Sequence, residues 1–322
     1  MSALVNVADL KVHFKIRSGL RTRSVRAVDG VAISLKRGQT LGLVGESGSG
    51  KTTLGRAMLR LLDPVGGTIV FDGQDITDTA YSRLKPFRRR AQAIFQDPYS
   101  SISPYMNVRA IVEEPLLIHG PRRKREREER VIQALRLVKL EPVDETLGKY
   151  PHSLSGGQRQ RVCIARAVVL QPEFIVADEP VSMVDASNRS EILYLLRELQ
   201  LQQTIAFLYI THDIASARHF SDRVAVMYLG TIVELGPTAK VIDEPLHPYT
   251  RGLLAAVPEP DPQNRSRLRA VIPGEPPSAA QVPSGCPFHP RCKQVVAGTC
   301  DLRRPALTQI HAGHQVACHL YN

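Results

Sequence analysis

Gly45-Glu46-Ser47-Gly48-Ser49-Gly50-Lys51-Thr52-Thr53 follows the apolar run 41–44 and leads into the helical sequence Leu54-Gly55-Arg56-Ala57-Met58-Leu59. It matches G-x-x-x-x-G-K-[ST] in the strand-then-helix context that gives this pattern its meaning. The glycines at 45, 48 and 50 let backbone N–H groups turn inward around phosphate oxygens, with Ser47 and Ser49 between them, and the helix that follows adds the positive end of its dipole. Lys51 is placed to neutralise β- and γ-phosphates, Thr52 to offer its hydroxyl to Mg²⁺, and Thr53 to assist at phosphate. A nucleoside triphosphate with Mg²⁺, ATP in the common case, is the expected ligand.

Working outward, the runs 174–177 and 204–210 are, like 41–44, short and nearly all apolar, as expected of fully buried parallel strands. Each ends in chemistry-bearing residues, which is where open α/β sheets bind ligands. Ile175-Val176-Ala177-Asp178-Glu179 supplies two consecutive carboxylates that point in different directions. Asp178 is assigned to the metal and Glu179 to polarising the attacking water as general base. His212, after the 204–210 run, is positioned to hold that water against the γ-phosphate. A lone His after a strand is more often structural, and only its place among the other motifs argues for the catalytic role. Gln96, ending Phe95-Gln96-Asp97-Pro98, can sense Mg²⁺ or the water through its amide. Between these strands, Leu154-Ser155-Gly156-Gly157-Gln158 opens a helix over 158–170. That is a second anion-binding helix N-terminus, idle until a partner brings a phosphate to it.

Across 322 residues, 43% are hydrophobic and 23% charged, ordinary for a soluble globular chain, and no apolar run approaches the length of a membrane helix. The start, 1–11, lacks the pattern of a secretory signal, so export is not expected. The net charge of +11 favours an anionic partner, either nucleic acid or the cytoplasmic face of a membrane. With no Trp and 5% aromatic residues, little base-stacking material accompanies that charge, and the basic run Arg122-Arg123-Lys124-Arg125 is diluted by Glu126, Glu128 and Glu129. An exposed helix start is the reading there, and docking at a membrane face the preferred one for the charge. From 107 to 170 the apolar spacing turns helical, whereas the sequence after Pro245 is rich in Pro and Gly without sustained periodicity.

That tail carries Cys286, Cys292, Cys300 and Cys318, while Cys163 stands apart in a helical stretch and reads as core. Four clustered thiols in a reducing compartment suggest metal before disulfides. Spacing does not separate Zn²⁺ from an iron–sulfur cluster, and unpaired structural thiols remain the plainer alternative.

The ordered set Gly45 to Thr53, Gln96, Leu154 to Gln158, Ile175 to Glu179, Asp185 and His212 resembles the ATPase subunits of ABC transporters over roughly residues 4–258. The resemblance implies an α/β fold: a RecA-like P-loop ATPase core with an antiparallel β subdomain and a helical subdomain at about 97–170, together forming a domain over 1–258. An irregular cysteine-containing tail follows at 259–322. It further implies a head-to-tail dimer with two ATP molecules sandwiched between subunits. Ser155, Gly156, Gly157 and Gln158 then touch the γ-phosphate in trans, Asp185 belongs to the same nucleotide-contacting set, and Phe14 stacks on adenine. One departure stands out, Ser182-Met183-Val184-Asp185 where the family has Ser-Ala-Leu-Asp. A bulkier Met and a β-branched Val are expected to alter packing across the dimer.

His247-Pro248-Tyr249-Thr250-Arg251-Gly252-Leu253-Leu254 and Gly285-Cys286-Pro287-Phe288-His289-Pro290-Arg291-Cys292 are similar to the C-terminal region of oligopeptide, dipeptide and nickel importer ATPases. That resemblance implies a [4Fe-4S] cluster on the four cysteines. Tyr150-Pro151-His152-Ser153 and Glu179-Pro180-Val181-Ser182 resemble the dipeptide-importer subunit that pairs with a second, nonidentical ATPase. A heterodimer is therefore expected, on the cytoplasmic face of the membrane, held there by two permease subunits and served by an extracytoplasmic solute-binding protein, with no direct nucleic-acid contact. Nickel complexes, glutathione, opines and sugars are alternative solutes. A soluble relative working on ribosomes or nucleic acid is the competing class, but the second cassette or long coiled-coil insertion that such relatives usually carry does not fit between Gln96 and Leu154.

Overall fold

A computed structural model describes residues 3–18, 21–257 and 272–321. The boundary expected between residues 258 and 259 lies outside the described residues. The chain forms two compact units, each assembled from separate segments. One, the helical unit, comprises Leu35–Thr40 and Asp78–Tyr209 with residues 3–4; the other, the loop-bearing unit, comprises Val5–Ser34, Leu41–Thr77 and residues from Ile210 onward.

In the helical unit the strands Ala206–Thr211, Phe174–Asp178 and Ala91–Ile94 lie side by side in that order. The last two are parallel, with Ala91 opposite Phe174 and Ile94 opposite Ala177. Phe174–Asp178 is buried throughout, which is why its sequence is continuously apolar rather than alternating. Glu173, just ahead of it, takes the guanidinium groups of Arg37 and Arg90, with Arg90 Nη2 at 2.9 Å. The Arg90 hydrogen bond is the main cause that holds the Glu173 carboxyl below the usual carboxylate range. The third strand begins at Ala206 and not at Thr204, because Thr204 adopts φ 54° as the left-handed cap of helix Ala186–Gln203.

Helices Val108–His119, Lys124–Leu137 and Gly156–Val168 pack on one another within this unit. Asn107 caps the first, its side chain accepting from the Ala110 N–H at 2.9 Å. Buried Ile111, Val112, Leu116, Val131, Leu135, Ile164 and Val168 come from their three- and four-spaced faces. Each such aliphatic side chain contributes about 1.5–3 kcal/mol by leaving water. Charges on the outer faces are paired: Arg127 meets Glu113 at 2.8 Å, Arg166 meets Glu114 at 2.8 Å, and Arg125–Glu129 and Arg130–Glu126 run along one helix. The basic run at 122–125 thus opens a charge-compensated helix.

The loop-bearing unit has two sheet portions. One is antiparallel between Val5–Ser18 and Gly66–Phe71, in the order Arg21–Leu35, Val5–Ser18, Gly66–Phe71, Gln74–Asp75. The other runs Thr308–His311, His314–Val316, Thr231–Pro237, Arg223–Tyr228, Thr40–Val44; only the last pair is parallel. The cysteine-bearing segment is therefore built into the sheet, with Val316 opposite Glu234. It is also built into the core, since Cys286, Phe288 and Cys300 pack in one cluster with Val44, Val226, Tyr228 and Tyr249. Buried Glu234 anchors this seam by accepting from Leu246 N and His247 N at 2.9 Å each and by pairing with His314 Nε2 at 2.8 Å. Among the described residues no helix is long and apolar enough to cross a membrane.

Candidate functional site

The fully buried strand Thr40–Val44 delivers the chain to Gly45. A Cβ at Gly45 would stand 2.2 Å from the Met227 carbonyl oxygen, and at Gly50, where φ is 105°, one would stand 2.0 Å from that of Ala27. Only glycine lets the loop close this tightly onto the backbone beside it. Gly230 N donates to Ser49 O at 2.9 Å, while Ser47 and Gly48 are exposed at the loop's tip. Helix Lys51–Met58 starts from left-handed Gly50 with no side chain capping its first turn. Buried Lys51 folds across the loop, donating from Nζ to Gly45 O at 2.7 Å, Glu46 O at 2.8 Å and Ser49 Oγ at 3.3 Å. These three partners are neutral oxygens, and a phosphate oxygen in such a position adds charge to the same kind of hydrogen bond.

In the helical unit, the strand Phe174–Asp178 ends in buried Asp178, and Glu179 follows with φ 46°. A left-handed, non-glycine residue next to a strand end is a strained position that needs support from its surroundings. Ser182 supplies some, with its N–H and hydroxyl donating to Glu179 O at 3.2 and 3.0 Å. The Glu179 carboxylate in turn accepts from Gln96 Nε2 at 3.0 Å. The two expected water-handling side chains thus meet, from the ends of two neighbouring parallel strands. The Met183-Val184 departure resolves simply: Val184 is buried at 3% exposure, whereas Met183 is 56% exposed. Only Met183 presents new bulk on the surface. Asp185 is exposed and leads helix Ala186–Gln203 without a side-chain capping bond.

Ser155 and Gln158 form a capping box on helix Gly156–Val168. Ser155 Oγ accepts from Gln158 N at 3.2 Å, and Gln158 Oε1 accepts from Ser155 N at 3.0 Å. Both residues are exposed, and Gly157 packs against Asn188, a Cβ there standing 3.4 Å from Asn188 Cγ. The serine hydroxyl keeps its proton available for an acceptor from outside, at the positive end of a thirteen-residue helix.

Of the residues singled out from sequence, the loop-bearing unit carries Phe14, residues 45–53, His212 and the four tail cysteines; the helical unit carries Gln96, 155–158, Asp178, Glu179 and Asp185. Phe14 is 39% exposed, so it does not belong to the core. His212 is exposed after strand Ala206–Thr211, and the next residue, Asp213, caps helix Ile214–Phe220. Thr52 in the loop-bearing unit, and Asp178 and the Gln96 amide in the helical unit, each carry a hard oxygen of the kind Mg²⁺ takes.

All five cysteines are free thiols. Cys163 is buried in its helix, and burial pushes its thiol up to about 12, as a core thiol requires. Cys286, Cys300 and Cys318 are buried and Cys292 partly so, and burial lifts Cys286 to about 11, with the other three adding to the shift. The donor chemistry suits a thiolate-bound metal, yet among the described residues no group of three or more His, Cys, Asp or Glu stands in an arrangement that could hold one.

One feature of the phosphate loop escapes the motif reading. Glu46 N donates to Tyr249 OH at 2.9 Å, and the Glu46 carboxylate takes Arg291 Nη1 at 2.7 Å and Nη2 at 3.1 Å. Hydrogen bonding to Glu46 is the chief cause raising Arg291 above its already high ordinary value. Tyr228, Tyr249 and Phe288 pack ring on ring beneath them, with centroids 4.7–5.4 Å apart. A carboxylate inside a loop that receives anions was the available signal, since it calls for a cation elsewhere in the chain.

Two family models match the sequence: ABC transporter over residues 28–182, and oligopeptide/dipeptide transporter, C-terminal region, over residues 233–300. The oligopeptide transport ATP-binding protein AppF of Bacillus subtilis (strain 168) is 47% identical, covering 99% of this chain and 98% of its own. A putative peptide import ATP-binding protein of Brucella ovis is 45% identical over 98% of this chain and 97% of its own. Among solved structures, the dimeric post-hydrolysis state of the ATP-binding cassette MJ0796 bound to ADP and Pi is similar, at 28% identity and a TM-score of 0.64, over 73% of this chain and 98% of that one.

Proposed function

This chain belongs to the ABC transporter family of ATP-binding subunits, and from that membership we propose how its residues divide the work of driving peptide import. It is an ATP-hydrolysing subunit of a peptide importer, coupled to membrane permeases and a substrate-binding protein. The observation that carries the hydrolytic reading is the Gln96–Glu179 contact at 3.0 Å on a left-handed backbone position at the end of a buried strand. Glu179 takes the proton of the attacking water, Gln96 orients that carboxylate, and His212 steadies the water. Lys51 and the loop N–H groups hold β- and γ-phosphates, Thr52 and Asp178 serve Mg²⁺, Thr53 assists at phosphate, and Phe14 stacks on adenine. Bound Mg²⁺ supplies charge neutralisation at the phosphates.

Ser155, Gly156, Gly157, Gln158 and Asp185 act on ATP held by a second ATPase subunit, which the resemblance makes nonidentical. An exposed, capped helix N-terminus with an exposed serine supports this reading. Replacing Ser155 by Trp is expected to leave ATP binding to the separate subunit unchanged and to cut hydrolysis in the assembled complex at least ~10²-fold, the scale of losing one oxyanion-type donor. Full-speed hydrolysis by a monomeric Ser155→Trp preparation overturns it.

Exposed Tyr99, Tyr105, Leu117 and Ile118 on the helical unit offer apolar surface for permease contact, which supports docking at the cytoplasmic membrane face. The ion pairs Arg125–Glu129 and Arg130–Glu126 along helix Lys124–Leu137 favour this reading over a nucleic-acid arm. For the tail the resemblance proposes a [4Fe-4S] cluster on Cys286, Cys292, Cys300 and Cys318; Cys286, Cys292 and Cys300 pack in one core cluster, and the four thiols would have to draw together to hold it. Anaerobically purified protein is expected to be brown with broad absorbance; a colourless sample containing only zinc rules the cluster out.

A further inference from the structure

Resting on the reading of 45–53 as the ATP phosphate cradle, we infer that Arg291 is a positioning residue for that cradle, cancelling the charge of Glu46 so that the loop accepts a triphosphate. Glu46 is the second residue of a loop built to take three or four negative charges, so its carboxylate opposes the ligand unless matched. Arg291 matches it two-pronged, Nη1 to Oε2 at 2.7 Å and Nη2 to Oε1 at 3.1 Å, the geometry in which guanidinium binds carboxylate most strongly. The guanidinium is itself held. Its Nε donates to Pro273 O at 3.0 Å, its Nη1 reaches Tyr228 OH at 3.4 Å, and the side chain is 6% exposed. The turn His289–Arg291 that carries it is fixed by Arg291 N donating to Phe288 O at 3.0 Å, and the Phe288 ring is wedged against Tyr228 and Tyr249.

The link reaches the nucleotide-handling lysine through the Glu46 backbone. Glu46 N is bound by Tyr249 OH, and Glu46 O accepts Lys51 Nζ at 2.8 Å. With its carboxylate matched and its N–H tied, Glu46 keeps its carbonyl where Lys51 waits for phosphate. The carboxy-terminal segment therefore has a duty at the ATP site itself, carried out by one arginine that lies outside the phosphate loop and acts through Glu46.

The test measures equilibrium binding of AMP, ADP and ATP to the full chain, with KM and kcat for ATP in the assembled transporter. Arg291→Met is expected to weaken ATP about tenfold or more, with a loss that grows from AMP to ATP and shrinks as salt is raised, while kcat at saturating ATP stays within about threefold. Arg291→Lys, which keeps the charge and loses the fork, is expected to bind ATP within about threefold of the native chain. Glu46→Gln in the Arg291→Met background is expected to recover most of the lost affinity, because the opposing charge has gone as well. Arg291→Gln takes the place of the Met variant if that one does not fold. A loss equal for AMP and ATP, a double variant no better than Arg291→Met, or a fall in melting temperature with nucleotide affinity unchanged overturns the assignment. Native ATP affinity in Lys51→Ala would instead overturn the reading of the cradle, a distinct result.

Discussion

Glu179→Gln is expected to abolish ATP turnover while ATP still binds. The substitution preserves size and shape at a position where φ is 46° and the side chain meets the Gln96 amide at 3.0 Å. What it removes is basicity: a carboxamide accepts a hydrogen bond but does not take a proton from water. General-base catalysis is worth roughly 10²- to 10⁴-fold, so turnover should fall by at least about 10². Because the phosphate loop, Lys51 and Ser155 are untouched, binding should be unimpaired and the ATP-bound pair of this chain with its partner ATPase should accumulate, visible as their co-elution on size exclusion with ATP. Single-turnover kinetics with retained nucleotide binding checks this directly. Unchanged turnover would remove Glu179 from the role of base.

Lys51→Ala is expected to act at the other end of the cycle. Lys51 is buried, and its Nζ bridges Gly45 O, Glu46 O and Ser49 Oγ across the loop. Its loss leaves those oxygens pointing into the space where phosphates belong and removes the one side-chain cation the loop itself contains. Truncating one partner of a buried charge pair costs about 2–5 kcal/mol, and 2.7 kcal/mol is about 100-fold in affinity, so ATP should bind on the order of 100-fold more weakly. Calorimetric titration with ATP and with adenosine separates the effect: adenosine, which has no phosphate, should bind as to the native chain. Native ATP affinity in this variant would show that 45–53 does not hold the triphosphate.

The role of Lys51 follows from spacing, because G-x-x-x-x-G-K-[ST] between strand and helix has few other physical uses. The role of Glu179 needed the strand end to be right, and the buried run Phe174–Asp178 was legible because a strand covered on both faces must be apolar throughout. Helices at 107–170 were legible for a similar reason, their apolar spacing matching the 3.6-residue turn. Thr204 was less so. A threonine beside an apolar run reads as strand, and only the need of helix Ala186–Gln203 for a left-handed cap took it out of one.

The sequence by itself determined the phosphate loop, the turn at 155–158, the paired carboxylates and the helical insert, because each is a local pattern of residue spacing. Only the tertiary structure decided that the proline-rich tail is part of the sheet and core. Strands as short as Thr308–His311 and His314–Val316 carry no periodicity of their own and exist because Thr231–Pro237 pairs the second, which in turn pairs the first. It alone decided that Arg291 meets Glu46, since that ion pair joins residues 245 positions apart, and no short-range pattern encodes which distant cation a carboxylate will find.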